Sequence, residues 1–207
     1  MAFGEKTIYV YDSFSKEEPV LLGTLYVNPS HGGEIYSFSY DPIWLKESGL
    51  TVALDPDLYG FGGRQYPGGK GIFGVFADAS PDRWGRVLMR KRERIIADKE
   101  GRKPRKLNDS DYLLGVYDEN RMGGIRFKLE PDGDFLSADK ETSTPPWATL
   151  RALEEASRQF EKDEDAMNEK WLKQLIRPGS SLGGARPKAT VADINGELWI
   201  AKFPSKN

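Results

Sequence analysis

Apolar and polar residues alternate with a period of two in three early stretches of the chain. In Lys6–Asp12, Ile8 and Val10 fall on one face and Thr7, Tyr9 and Tyr11 on the other. Val20–Asn28 is a second β-rich run, and Ile35–Asp41 alternates Tyr36, Phe38 and Tyr40 with Ser37 and Ser39. The turn-rich segments SFSKEEP and NPSHGG separate the three, so an antiparallel meander is predicted. A short helix is predicted over Pro42–Glu47, with proline in its first turn and Gly49 at its end.

The period then changes. Tyr59–Gly74 is glycine-rich but punctuated by aromatics, which predicts an ordered loop. Ser80-Pro81-Asp82 reads as a helix start: an N-cap serine, a proline at the first helical position and an acid in the first turn. Trp84, Val87, Leu88, Met89, Ile95 and Ile96 stripe that helix, and EGRKPRK ends it. A second short helix fits Asp109–Val116, and Gly124–Glu130 reads as a strand. Pro131–Pro146 is the best candidate for a boundary, dividing the chain into 1–135 and 136–207. Beyond it, Leu150, Leu153 and Phe160 mark one helix, and Trp171, Leu172, Leu175 and Ile176 a second. The last stretch is a glycine-rich loop, a strand over Lys188–Asp193, a turn at Asn195-Gly196 and a strand over Glu197–Phe203. The fold class predicted is α+β.

Composition narrows the functions open to such a chain. There is no cysteine and a single histidine, His31, so thiolate and multi-histidine metal sites are excluded and disulfides cannot form. The first residues, MAFGEKTIYVYD, carry charges where a signal peptide has its apolar core, and no apolar run is long enough to span a membrane. A cytoplasmic protein is expected. The net charge of −2 is unevenly spread: Asp82–Lys106 holds eleven Lys/Arg against four acids, and Glu154–Lys170 seven acids against three bases. The basic stretch can contact phosphates or an acidic partner, but a solvated helix face and a charged loop is the reading favoured.

Only the closing segment carries a chemical signature. A glycine-rich loop leading into an antiparallel hairpin, with one lysine on the second strand, is how kinase-like folds hold ATP. The glycines let backbone N–H groups approach the phosphates, and the strand lysine, here Lys202, neutralises them. The loop is not a P-loop, because Ala185-Arg186 follows Gly184 where Lys-Ser/Thr is required, nor is it GxGxxG.

Four separated motifs point to a family. LDPDL, GGRQYPGGKGIFGVFADASPDRWGR, DYLLGVYDENRMGGIRF and GSSLGGARPKATV with LWIAKFPS resemble the amino-terminal half of the HipA-type serine/threonine kinases, the toxins of bacterial toxin–antitoxin pairs linked to persistence. The resemblance runs from about residue 6 to residue 203 in matching order. It implies a β-rich N-terminal subdomain followed by part of a kinase N-lobe, comprising two helices, the glycine-rich loop and the hairpin. It also implies ATP with Mg as the cofactor of the complete enzyme, and a helix-turn-helix antitoxin of the HipB type and a kinase C-lobe as partners. By position, Gly183, Gly184 and Ala185 match the phosphate-binding loop, Lys188 its exit and Lys202 the lysine on the ATP phosphates. Ser181 matches the autophosphorylated serine, with Ser180 beside it. Phosphorylation there adds about −1.5 to −2 charge, which would repel the nucleotide.

The chain departs from the family in ending at Asn207, five residues after Lys202. The catalytic Asp and the Mg-binding Asn and Asp of the family follow that lysine. A partial kinase is therefore expected, inactive alone, binding ATP weakly, and self-associating through an exposed apolar patch near the Ala189–Phe203 hairpin. The alternative is a non-catalytic interaction module that binds an antitoxin or a separately encoded C-lobe.

Overall fold

Strands β1 (Lys6–Asp12), β2 (Val20–Ser30) and β3 (Gly33–Tyr40) form where the two-residue alternation predicts them. The computed structural model describes residues 4–48, 53–69, 71–118, 121–136, 150–162, 175, 184 and 186–204. Pairing β1 with β2 and β2 with β3 aligns Ile8, Leu25 and Phe38 as one row across the three strands. All three are fully buried. Slipping any strand by one residue would turn its apolar set to water, so burial fixes the register. β4 (Ile125–Lys128) pairs with the other edge of β1, setting Phe127 opposite Val10. The sheet order is β3-β2-β1-β4, antiparallel throughout.

Three short helices accompany this sheet: α1 (Pro42–Ser48), α2 (Gly74–Asp78) and α4 (Asp109–Leu114). Asp41 caps α1, its Oδ1 accepting from the N–H groups of Ile43 (2.9 Å) and Trp44 (3.0 Å). Gly49, expected at its end, lies outside the described residues. Aromatic rings fill the core. Phe38 meets Tyr40 edge-on at 5.1 Å and Phe76 at 5.5 Å, and Phe76 in turn meets Phe73 and Phe127. Such pairs add to the area they bury.

Of the aromatics in the glycine-rich loop only Phe73 is buried in the core, while Tyr59, Phe61 and Tyr66 are exposed. Buried Gln65 also holds the loop. Its backbone exchanges two hydrogen bonds with Phe38 (2.8 and 2.9 Å), while its side-chain amide accepts from Tyr59 N–H and donates to Tyr59 C=O.

The chain is shared in alternating segments between two compact units. The first takes Met1–Ser80, Asn108–Leu114 and Arg121–Ala138; the second takes Pro81–Leu107, Gly115–Asn120 and Asp139–Asn207. The second unit contains α3 (Arg83–Lys99), α5 (Leu150–Lys162) and the hairpin of β5 (Lys188–Ala192) with β6 (Leu198–Lys202). Its core is Trp84, Leu88, Leu153, Ala156, Leu175, Ala189, Val191 and Phe203. Of the second helical segment predicted after residue 162, Trp171, Leu172 and Ile176 lie outside the described residues.

One local expectation is corrected. The N-cap of α3 is Asp82, not Ser80: the Asp82 carboxylate accepts from Arg83 N–H, whereas Ser80 Oγ donates back to Phe76 C=O at 2.8 Å. The hairpin turns at Asn195-Gly196 as expected, closing through the three residues Ile194 to Gly196. Asp193 N–H donates to Glu197 C=O at 2.9 Å, and Gly196 adopts φ +82°, the left-handed region glycine enters without strain.

Phe38 sits where the sheet, the glycine-rich loop and α2 meet. Phe38→Ala is expected to destabilise the fold by roughly 3–5 kcal/mol and to lower the thermal midpoint accordingly. A near-unchanged midpoint would contradict a core built around this ring.

Candidate functional site

The site is assembled within the second unit from the start of α3, the loop at Gly184 and the β5–β6 hairpin. Asp82 ends the extended approach to α3, with φ −78° and ψ −172°, which is the N-cap conformation. One carboxylate oxygen, Oδ1, accepts from Arg83 N–H at 2.7 Å. The other, Oδ2, accepts a short hydrogen bond from the N–H of Gly184, 102 residues away in sequence.

Gly184 holds φ +92°, a conformation that side-chain-bearing residues rarely adopt. A Cβ there would also stand 2.8 Å from the Lys188 ammonium nitrogen. That nitrogen thus lies on the side of Gly184 where a side chain would project. The exit of the loop is fastened by Trp84, whose buried indole donates from Nε1 to the Lys188 carbonyl at 3.2 Å. Phe203 N–H donates to the Pro187 carbonyl at 2.9 Å, tying the end of the hairpin to its beginning.

Lys188 is 6% exposed, and Lys202 pairs opposite it in the β5–β6 register, on the solvent side. Burial pushes the Lys188 ammonium below the usual lysine range; the Asp82 charge opposes this, and the Lys202 charge adds to it. Among the described residues Lys188 has neither a hydrogen-bond nor an ion-pair partner for its side chain. Asp82 is held below the ordinary aspartate range, first by the Gly184 N–H, then by the Arg83 N–H, with the Lys188 and Arg86 charges contributing. Two cations and a left-handed glycine therefore surround one carboxylate. Chemically this is an anion-binding arrangement.

Of the residues singled out from sequence, Gly184, Lys188 and Lys202 share this neighbourhood. Gly183, Ala185, Ser180 and Ser181 lie outside the described residues. Sequence reasoning gave Asp82 only a place in the first turn of a helix and Trp84 only a place in the core. The Ser-Pro-Asp start was a signal for a cap, but nothing in the spacing pointed to Gly184.

Other features bear on function less directly. The basic stretch is partly neutralised within itself. Buried Glu93 accepts from Arg102 Nη1 at 2.5 Å and from Arg105 N–H at 3.0 Å, and these contacts hold its carboxyl down to about 2. On β6, Leu198, Trp199 and Ile200 are each about half exposed (57%, 49% and 50%), so an apolar patch does lie at the hairpin. In the first unit, a cavity of about 460 Å³ is bounded by Phe14, Leu54, Asp55, Asp78 and Met122. The Asp55 carboxylate there is committed to the N–H groups of Asp57 and Val75. Among the described residues no three metal-ligating side chains gather, and no helix is long and apolar enough to cross a membrane.

No protein-family model, no curated protein and no solved structure matches the chain.

Because Asp82 is more acidic in the folded chain, its bonds favour the fold above the ordinary carboxylate range. The contribution fades as pH falls through and below about 4. Asp82→Asn keeps a capping side chain while removing the charge. The stability gap between wild type and Asp82→Asn in urea unfolding is expected to be widest near neutrality and to close as the pH approaches about 2. A gap independent of pH would show that the Asp82 charge is not engaged.

Proposed function

We propose that this chain is the phosphate-gripping part of a HipA-type serine/threonine protein kinase. In this reading the second unit holds the core of a kinase N-lobe, and the loop at Gly184 receives the phosphates of ATP. Lys188 and Lys202 supply the positive charge. The observation that carries the proposal is Lys188, a largely buried residue whose ammonium stands beside a left-handed glycine at the mouth of a β-hairpin and has no ion pair among the described residues. A buried cation without a partner is costly, and a phosphate is the ligand class that would satisfy it.

The residues fit the phosphate part of ATP and leave Mg to its phosphates and to groups outside this arrangement. Phosphoryl transfer needs a base-like Asp and metal-holding side chains in addition to the grip, and the family carries these in its C-lobe. The chain's own residues would bind and orient the phosphates and hold their charge; they would not by themselves activate a hydroxyl. Within the same reading the protein works in the cytoplasm as a toxin component, paired with a helix-turn-helix antitoxin.

A second reading is favoured by a specific observation. Leu198 and Ile200 on one face of β6, Trp199 on the other and the fully exposed Ile194 at the hairpin tip leave apolar side chains available to a protein partner. In that case the hairpin is a docking element, for an antitoxin, a C-lobe or a second copy, and the glycine loop is vestigial.

A titration of the isotopically labelled chain with ATP, followed by amide NMR shifts, separates the two. Binding in the millimolar range with shifts centred on Gly184, Lys188 and Lys202 is expected. Lys188→Ala and Lys202→Ala should each weaken it by roughly ten-fold or more, as expected for a lost charge-assisted contact. Shifts spread over the basic α3 face, or none at the hairpin, would overturn the phosphate-grip reading.

A further inference from the structure

The Asp82 carboxylate is more than a helix cap. Capping α3 requires one oxygen, and Oδ1 provides it at Arg83 N–H. Oδ2 reaches across to Gly184 N–H, the backbone donor at the left-handed turn of the loop. The carboxylate thus bridges two N–H groups at the positive end of a 17-residue helix, with Lys188 and Arg86 contributing favourable charge. These are the donors that a phosphate oxygen takes at such a place.

Lys188 shows that the arrangement is incomplete as it stands. The residue is 6% exposed, and its nitrogen faces Gly184. Yet it makes no ion pair within 4.0 Å and no hydrogen bond among the described residues. Asp82 acts on it through space only. A buried ammonium draws its full stabilisation only from an anion in contact with it. Asp82 itself lies on the exposed surface, so turning its side chain into solvent disrupts no packing.

We infer that Asp82 is a resident anion, whose carboxylate occupies the Gly184 N–H that a phosphate ligand requires and must be displaced when phosphate binds. The inference rests on the phosphate-grip reading given above and deepens it. The Gly184 N–H is held by the protein's own negative charge, and a phosphate gains access by offering more: contact with Lys188 as well as with the Gly184 N–H. Affinity is lowered by the competition, and Gly184 keeps a hydrogen-bond partner when no ligand is present.

The test uses the whole chain, inorganic tripolyphosphate as probe, and calorimetry at one pH and low salt. Two variants remove the competitor differently. Asp82→Asn abolishes the charge, and Asp82→Ser shortens the side chain beyond reach of Gly184; both residues cap helices well, so α3 persists and circular dichroism verifies it. Both are expected to bind tripolyphosphate about ten-fold more tightly than wild type, the effect of deleting one like charge at contact distance. Adding Lys188→Ala to either variant should abolish the gain. If both variants bind at the hairpin no better than wild type, the resident-anion inference fails while the phosphate grip stands. If wild type and both variants all fail to bind, the phosphate grip fails and this inference with it.

Discussion

In the second unit a largely buried lysine, Lys188, sets its ammonium beside Gly184 and within the field of the Asp82 carboxylate. The start of β5 is fixed because Ala189 and Val191 enter the same core as Trp84, Leu88 and Leu153. At Gly184 a backbone N–H meets the Asp82 carboxylate. Trp84 is the hinge of this logic, because its ring belongs to the core while its Nε1–H holds the Lys188 carbonyl. Packing and electrostatics are therefore set by the same few residues.

The first unit rests on different physics. Its sheet is held in register by rows of apolar side chains, Ile8–Leu25–Phe38 and Val10–Phe127, and its polar groups tie both turns and distant segments, as Lys6 and Glu34 do at Ser110. Asp12 is typical. Burial opposes its charge, but Ser15 Oγ, the Trp44 indole and the N–H groups of Phe14 and Ser15 together hold its carboxyl below the ordinary range. Such a carboxylate ties its own turn to α1 through Trp44. Asp82 likewise joins two elements, the start of α3 and the loop at Gly184.

The sequence discloses the elements better than their couplings. Strands β1 to β3 are legible because half-buried strands must alternate, and Gly196 is legible because a tight turn demands it. The helix start at Ser80-Pro81-Asp82 is legible to within two residues; the exchange of Ser80 for Asp82 as cap depends on Ser80 finding a carbonyl at Phe76. Gln65 could not be read, since a buried glutamine that ties a loop to a strand looks like any polar residue in a glycine-rich run. In the candidate site, the glycine and the two lysines are visible through local spacing. The Asp82–Gly184 bond is not, because it joins residues 102 positions apart and no periodicity links them.

What occupies the Gly184 N–H in the presence of phosphate is the deciding observation. A crystal structure of the chain grown with tripolyphosphate addresses this directly. A phosphate oxygen on Gly184 N–H and against the Lys188 ammonium, with the Asp82 side chain turned away, is the predicted result. Asp82 still bonded to Gly184 with phosphate bound elsewhere, or Lys188 paired to a protein carboxylate, would contradict it.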